Sequence, residues 1–178
     1  MKASIITSSE PVVETAFEQR NRAGDYLRHP LILLMLVIWI LNDHLFKDMF
    51  GNALTGKLSD FAGVAVVPLL PLAAYELSCA YLKKTPRFHR PIFIASLLAT
   101  AIFMAGINLF EPWADTFRMG LGFAQWPFRS VWWLLTEGRL PSVVPVFHTA
   151  DPTDLWSLLA LVVPCWIVLK TQSPNSKP

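Results

Sequence analysis

Charge is scarce in this chain. Only 16% of its 178 residues are Asp, Glu, Lys or Arg, against about 25% in a typical soluble domain. A water-facing surface needs those charges, so the deficit argues against an ordinary soluble domain. The net charge of +2 is too small to suggest nucleic-acid binding. Cysteine is scarce too: Cys79 and Cys165 each sit inside an apolar run without zinc-type spacing, and two buried free thiols are expected. Period-two alternation is missing, which excludes barrel strands. The start carries Glu10, Glu14, Glu18 and Asp25 and lacks the continuous apolar stretch of about 7–15 residues that a cleaved signal needs. No lipidation motif is seen at either end. Targeting is therefore expected to fall to the first apolar run, acting as an uncleaved anchor.

Apolar sequence is plentiful. Hydrophobic residues make up 53%, and the mean hydropathy is +0.43. A helix needs about 20 mostly apolar residues to cross a bilayer. Four runs approach this: Leu31 to about Phe46, about Asp60 to Leu82, Pro91 to about Phe110, and about Asp154 to Leu169. Pro68 and Pro71 should kink the second, because each removes a helical donor. The fold class expected is all-α, an integral membrane bundle of four transmembrane helices. Residues 117–136 are apolar but interrupted by Arg118, Gln125, Pro127 and Arg129, with Trp126, Trp132 and Trp133 among them. They are read as an interfacial or re-entrant element, with a fifth crossing as the alternative.

Basic residues set the expected orientation. Lys2, Arg20, Arg22 and Arg28 precede the first run; Lys83, Lys84, Arg87 and Arg90 join the second to the third; Lys170 and Lys177 follow the last. The remaining connections hold Lys47, Lys57, Arg118, Arg129 and Arg139 over much more chain. Positive residues stay cytoplasmic. The organisation expected is a cytoplasmic tail over 1–29 with a short amphipathic helix around Val12–Leu27, a transmembrane bundle over 30–170, and a cytoplasmic tail over 171–178. The connection 111–153, containing the segment 117–136, then faces the periplasm. A bacterial inner membrane location follows, with both termini inside.

This topology gathers polar residues at the outer level. Asn42, Asp43 and His44 end the first run. Lys57, Ser59 and Asp60 begin the second. Glu111 and Asp115 follow the third, and His148, Asp151 and Asp154 precede the fourth. Ionisable groups at membrane depth are costly and often mark a site. Asp43, His44, Asp60 and Asp154 are the catalytic candidates, as proton carriers or, with Asp151, as ligands in a metal-assisted hydrolysis. No metal-binding motif is present, however, and no cofactor is implied. Asn42, Lys57, Ser59 and Asp151 are the ligand-binding candidates, with Lys57 and the start of the second run suited to an anionic headgroup.

The same residues have a plainer reading as helix ends at a wet interface. Asp43 with Lys47, His44 with Asp48, and Lys57 with Asp60 have pairing spacings. Asp151-Pro152-Thr153-Asp154 reads as a capped helix start, and Ser59 could cap the second run. Glu76, near the inner end of its run, is expected to snorkel to the interface. Trp113, Trp126, Trp132, Trp133, Trp156 and Trp166 are assigned to interface belts and packing.

The stretches Leu41-Asn42-Asp43-His44, Thr55-Gly56-Lys57-Leu58-Ser59-Asp60-Phe61-Ala62-Gly63 and Asp151-Pro152-Thr153-Asp154-Leu155 resemble those of uncharacterised small bacterial multi-pass inner-membrane proteins. A more distant resemblance is to VanZ-like envelope proteins associated with glycopeptide resistance, in which an Asp-Lys-x-x-His-Phe stretch opens one helix and an Asp opens the last. Lys57, Phe61 and Asp154 fit that pattern; Gly56 stands where Asp is expected and Asp60 where His is expected. The resemblance implies an envelope role. Three functions stay open: binding of a lipid headgroup, cell-wall precursor or protein partner; a small intramembrane enzyme on a lipid-linked substrate; and a small oligomeric transporter. The partners implied are membrane lipids and a homo-oligomer.

Overall fold

The computed structural model describes residues 23–46, 49, 53–84 and 88–172. Among them every regular element is helical. Helix α1 covers Pro30–Leu41 and runs into a single π-helical turn, Asn42–Phe46. Helices α2 (Ala53–Val66) and α3 (Leu69–Tyr81) follow, then α4 (Arg90–Leu109) and α5 (Glu111–Glu137). A 3-10 segment, Pro152–Leu161, passes into α6, Val162–Gln172.

Local chemistry explains the boundaries. Pro30 opens α1, where a missing N–H costs nothing, and the His29 Nδ1 accepts a hydrogen bond from the Leu31 amide at 3.3 Å. The Val67–Pro68 turn separates α2 from α3, because Pro68 cannot donate to the preceding turn. Pro71 lies in the first turn of α3 and leaves it intact. Gly138, at φ 66°, ends α5 in the left-handed conformation that glycine adopts without strain. The expected pattern of kinks therefore reduces to one break.

Among the described residues three helical stretches are long and apolar enough to cross a membrane: Leu54–Tyr81, Arg90–Leu109 and Pro152–Thr171. Pro30–Leu41 is apolar but shorter. The first run thus reaches span length only with the π turn that follows it. Residues 117–136 lie within the single continuous helix α5. Of the proposed helix over Val12–Leu27, residues 12–22 lie outside the described residues; the rest is a turn and a short 3-10 helix, Asp25–Arg28.

Polar side chains pack inward and aliphatic ones point out. Asn42, Ser59, Glu76, Asn108 and Ser157 are buried, while Leu33, Leu34, Val37, Ile40, Leu98, Ile102, Leu159 and Leu169 are exposed. Burying apolar area is worth about 25 cal/mol per Å² in water, so this outward aliphatic face suits hydrocarbon surroundings. With lipid outside, helices associate through close packing and polar ties. Helix α2 supplies the close packing: Ala62 and Ala65 are fully buried, and Gly63 lets the Trp39 ring approach, with 3.6 Å between a notional Cβ and the indole.

Two apolar clusters divide the interior. The larger joins Tyr26, Ile32, Val66, Leu69, Leu72, Ala73, Phe93, Ile167 and Val168. The smaller joins Val64, Ala65, Met104, Ile107 and Ala160. Beyond the smaller one lies the end of the bundle where the polar residues collect.

Candidate functional site

The polar residues form joints between elements. Helix α2 is the centre, because it begins at Ala53, well before the expected start near Asp60. Ser59 therefore lies in its second turn and does not cap it. Thr55 and Ser59 are four apart and share a face; Lys57 lies between them and points elsewhere.

The Thr55–Ser59 face meets the end of α1. The Asn42 side-chain amide donates to the Thr55 carbonyl at 2.6 Å. The Ser59 hydroxyl donates to Asp43 Oδ1 at 2.5 Å. Asn42 is completely buried, and its Oδ1 has no hydrogen-bond partner. His44 lies in the same π turn. Lys47 and Asp48, the expected partners of Asp43 and His44, lie outside the described residues.

Lys57 meets the start of the 3-10 segment. Its ammonium donates to Asp154 Oδ1 at 2.7 Å and to Thr153 Oγ1 at 2.6 Å, and Asp151 Oδ2 lies 3.6 Å away. Asp151 caps the segment as its sequence indicates: its Oδ1 accepts from the Thr153 amide and the Thr153 hydroxyl, both at 2.8 Å. These Thr153 bonds, with Lys57 adding to them, hold the Asp151 carboxyl below the usual carboxylate range. The Asp151 amide donates to Asn108 Oδ1 at 3.2 Å, and the Asn108 amide group donates to the Met104 carbonyl at 3.0 Å. One chain of contacts thus ties α2, the 3-10 segment and the end of α4.

Arg118 organises the long connection. Its guanidinium donates to Glu111 at 2.7 Å, to Asp115 at 2.6 Å and to the His148 carbonyl at 2.8 Å. The two carboxylates raise its pKa further above the usual range. His148 Nε2 lies 3.2 Å from the Ile107 carbonyl, and its ring meets Phe117 edge-on at 5.4 Å. The Trp126 indole donates to the Pro141 carbonyl at 2.8 Å. Gly122 leaves no room for a Cβ against the Val144 carbonyl. Residues 139–150 therefore run back along α5. The connection leaves α4 and rejoins the bundle at the same end.

Three readings of the sequence change. Trp126 does more than line an interface, since its N–H fixes the returning chain; Trp113, assigned to belts and packing, packs on Gly106, where a Cβ would collide with its ring. Glu76 does not snorkel: it is only 6% exposed, and its Oε2 accepts from the Gly24 amide at 2.9 Å. Lys57 is held by Asp154 and Thr153, so its charge is already compensated before any anion arrives. Asp60 is half-buried on α2, one turn beyond Lys57. No three His, Cys, Asp or Glu among the described residues come together to hold a metal ion, so Asp43, Asp60, Asp151 and Asp154 do not assemble the ligand set considered for hydrolysis.

Asn108 and Thr153 had not been singled out, yet both are central. Asn108 was visible as an amide inside the apolar run Ile107-Asn108-Leu109. Thr153 was visible only as part of a cap.

Next to this layer lies an apolar pocket of about 380 Å³, lined by Met35, Ile38, Leu58, Phe61, Ala65 and Leu159, among others, and open at the surface where Leu58 and Leu159 are exposed. Its walls follow Lys57 along α2, Asp154 along the 3-10 segment, and precede Asn42 along α1. Cavity and polar layer are therefore neighbours along three elements. Comparison with models of known families, with curated proteins and with solved structures finds no match; what the described residues themselves establish is a helical architecture with three helices long and apolar enough to cross a membrane.

Proposed function

We propose that this is a bacterial inner-membrane protein that binds a lipid or lipid-linked cell-wall precursor from the outer leaflet. Four passes are proposed, the first using Pro30–Phe46, with both termini cytoplasmic and the polar layer on the outer side. The observation that carries the reading is the surface-open apolar pocket of about 380 Å³, whose lining residues adjoin Lys57, Asp154 and Asn42 along their elements. Its volume lies in the usual ligand range of roughly 300–1,000 Å³, and its lining side chains are all apolar, as an acyl or polyprenyl chain requires. The headgroup would then lie against the polar layer.

That layer favours donors over bare anions. Asp151 and Asp154, two carboxylates, stand against the single ammonium of Lys57, which they already engage. A hydroxyl- or amine-bearing headgroup suits it better than a phosphate alone. The resemblance to small envelope proteins points the same way.

The test is the lipid retained by the purified protein, read by mass spectrometry. Leu58→Trp and Leu159→Trp change partly exposed residues at the cavity wall and should remove the retained lipid while the protein still purifies as a folded species. An unchanged lipid complement in both variants would defeat the proposal. Chemical conversion of the retained lipid with time would shift it to the enzyme reading.

A further inference from the structure

The opposite end of the bundle holds a buried carboxylate that the proposed function does not use. Glu76 lies in α3 with 6% of its surface exposed, and among the described residues no cation forms an ion pair with it. A buried carboxylate is expensive unless it is hydrogen-bonded. Its partner comes from 52 positions away: the Gly24 amide donates to Oε2 at 2.9 Å. Gly24 adopts φ 75°, ψ 17°, a left-handed conformation that a side chain would strain. That turn aims its N–H at α3.

The residues after Gly24 seal the bundle. Tyr26 is 4% exposed and belongs to the larger apolar cluster, against which Leu27 also packs. The Tyr26 hydroxyl is buried and faces the same Glu76 carboxylate, a second and looser contact that falls short of full hydrogen-bond geometry. Burial, then Glu76, pushes that phenol far above its usual pKa. Glu76 thus accepts one well-formed backbone bond from Gly24 and a looser contact from the Tyr26 hydroxyl. Such a contact has less to lose on opening than the many-membered joints at the other end.

We infer that Gly24–Arg28 is a plug over this end of the bundle, that Glu76 is the latch holding it, and that release of the latch frees the plug without opening the rest. The segment read from sequence as the end of a free tail is therefore a docked part of the fold.

The experiment uses the full chain in detergent, where both ends are reachable, after Cys79→Ser and Cys165→Ser. Leu27→Cys reports the plug. Ser157→Cys, at a position 1% exposed near the other end, reports opening of the whole bundle. Maleimide labelling of Leu27→Cys should become roughly tenfold faster with Glu76→Ala, the factor that losing one buried hydrogen bond implies. Glu76→Gln keeps an acceptor oxygen and should stay close to the parent rate. Labelling of Ser157→Cys should not change in either background. Unchanged labelling of Leu27→Cys with Glu76→Ala would overturn the latch. So would a Glu76→Gln variant as open as Glu76→Ala, or a parallel rise at Ser157→Cys.

Discussion

The two halves of the bundle are held together by different physics. The half nearer Glu76 contains the larger apolar cluster, with Leu69, Leu72 and Ile167 completely buried. The half nearer Lys57 has a smaller cluster and compensates with polar ties among α1, α2, α4 and the 3-10 segment. Dispersion contacts are individually weak and collectively large, so the first half depends on shape. Hydrogen bonds and ion pairs are directional, so the second depends on which partner is present. In the lipid surroundings proposed above, simple hydrophobic exclusion between helices would contribute little, and both devices would be needed.

The contrast is broken most strongly by a cavity in the apolar half. Leu72→Ala removes a fully buried side chain and should cost about 2–5 kcal/mol, measured by unfolding in mixed micelles, with no dependence on salt. Gly122→Ala probes the long connection, where the new Cβ meets backbone at Val144. A cost of about 1–3 kcal/mol is expected, with release of residues 139–150 seen as faster proteolysis at Arg139.

Lys57→Met tests the polar half. It leaves Asp151 and Asp154 facing one another without the ammonium. The thermal midpoint should fall by a few degrees, less at high salt, because part of the pairing is screened in the parent. Adding Asp154→Asn to Lys57→Met should recover some of the loss. A loss independent of salt and unrelieved by the second change would make the joint a matter of packing, like the other half.

The smallest effect is in pH. Asp151 is held below the usual carboxylate range, chiefly by Thr153. Such a group contributes stability above its unfolded value and loses it as pH falls through its folded value. The midpoint contribution of Asp151 should therefore persist through about pH 4 and fade only below it. Asp151→Asn should remove that acid-side decline, measured as the difference between the two melting profiles from neutral pH downward.

Much of the architecture was legible because hydropathy acts locally. The apolar runs and the break at Pro68 follow from residue types alone, and so does the Asp151 cap. The convergence of Asn42, Asp43, Lys57, Ser59, Asp151 and Asp154 on one end follows from where the runs stop. Partner choice was not legible. Lys57 was assigned to a neighbour three residues away, yet it reaches Asp154, 97 positions along the chain. The expected start of α2 falls too late because Lys57, Ser59 and Asp60 read as a connection; Lys57 and Ser59 are polar because they meet the 3-10 segment and the π turn. Glu76 was misread for the same reason. Its position near the end of a run suggested snorkelling, and only packing reveals that Gly24 meets it.

Single-cysteine labelling of intact cells tests the proposed arrangement most directly. Leu54→Cys, Phe147→Cys and Tyr81→Cys replace exposed residues on α2, the long connection and the end of α3, after Cys79→Ser and Cys165→Ser. A membrane-impermeant maleimide added outside should label Leu54→Cys and Phe147→Cys and leave Tyr81→Cys untouched until the cells are opened. Labelling of only one of Leu54→Cys and Phe147→Cys would put Lys57 and the Asp151–Asp154 segment on opposite sides of the membrane and contradict the shared outer site.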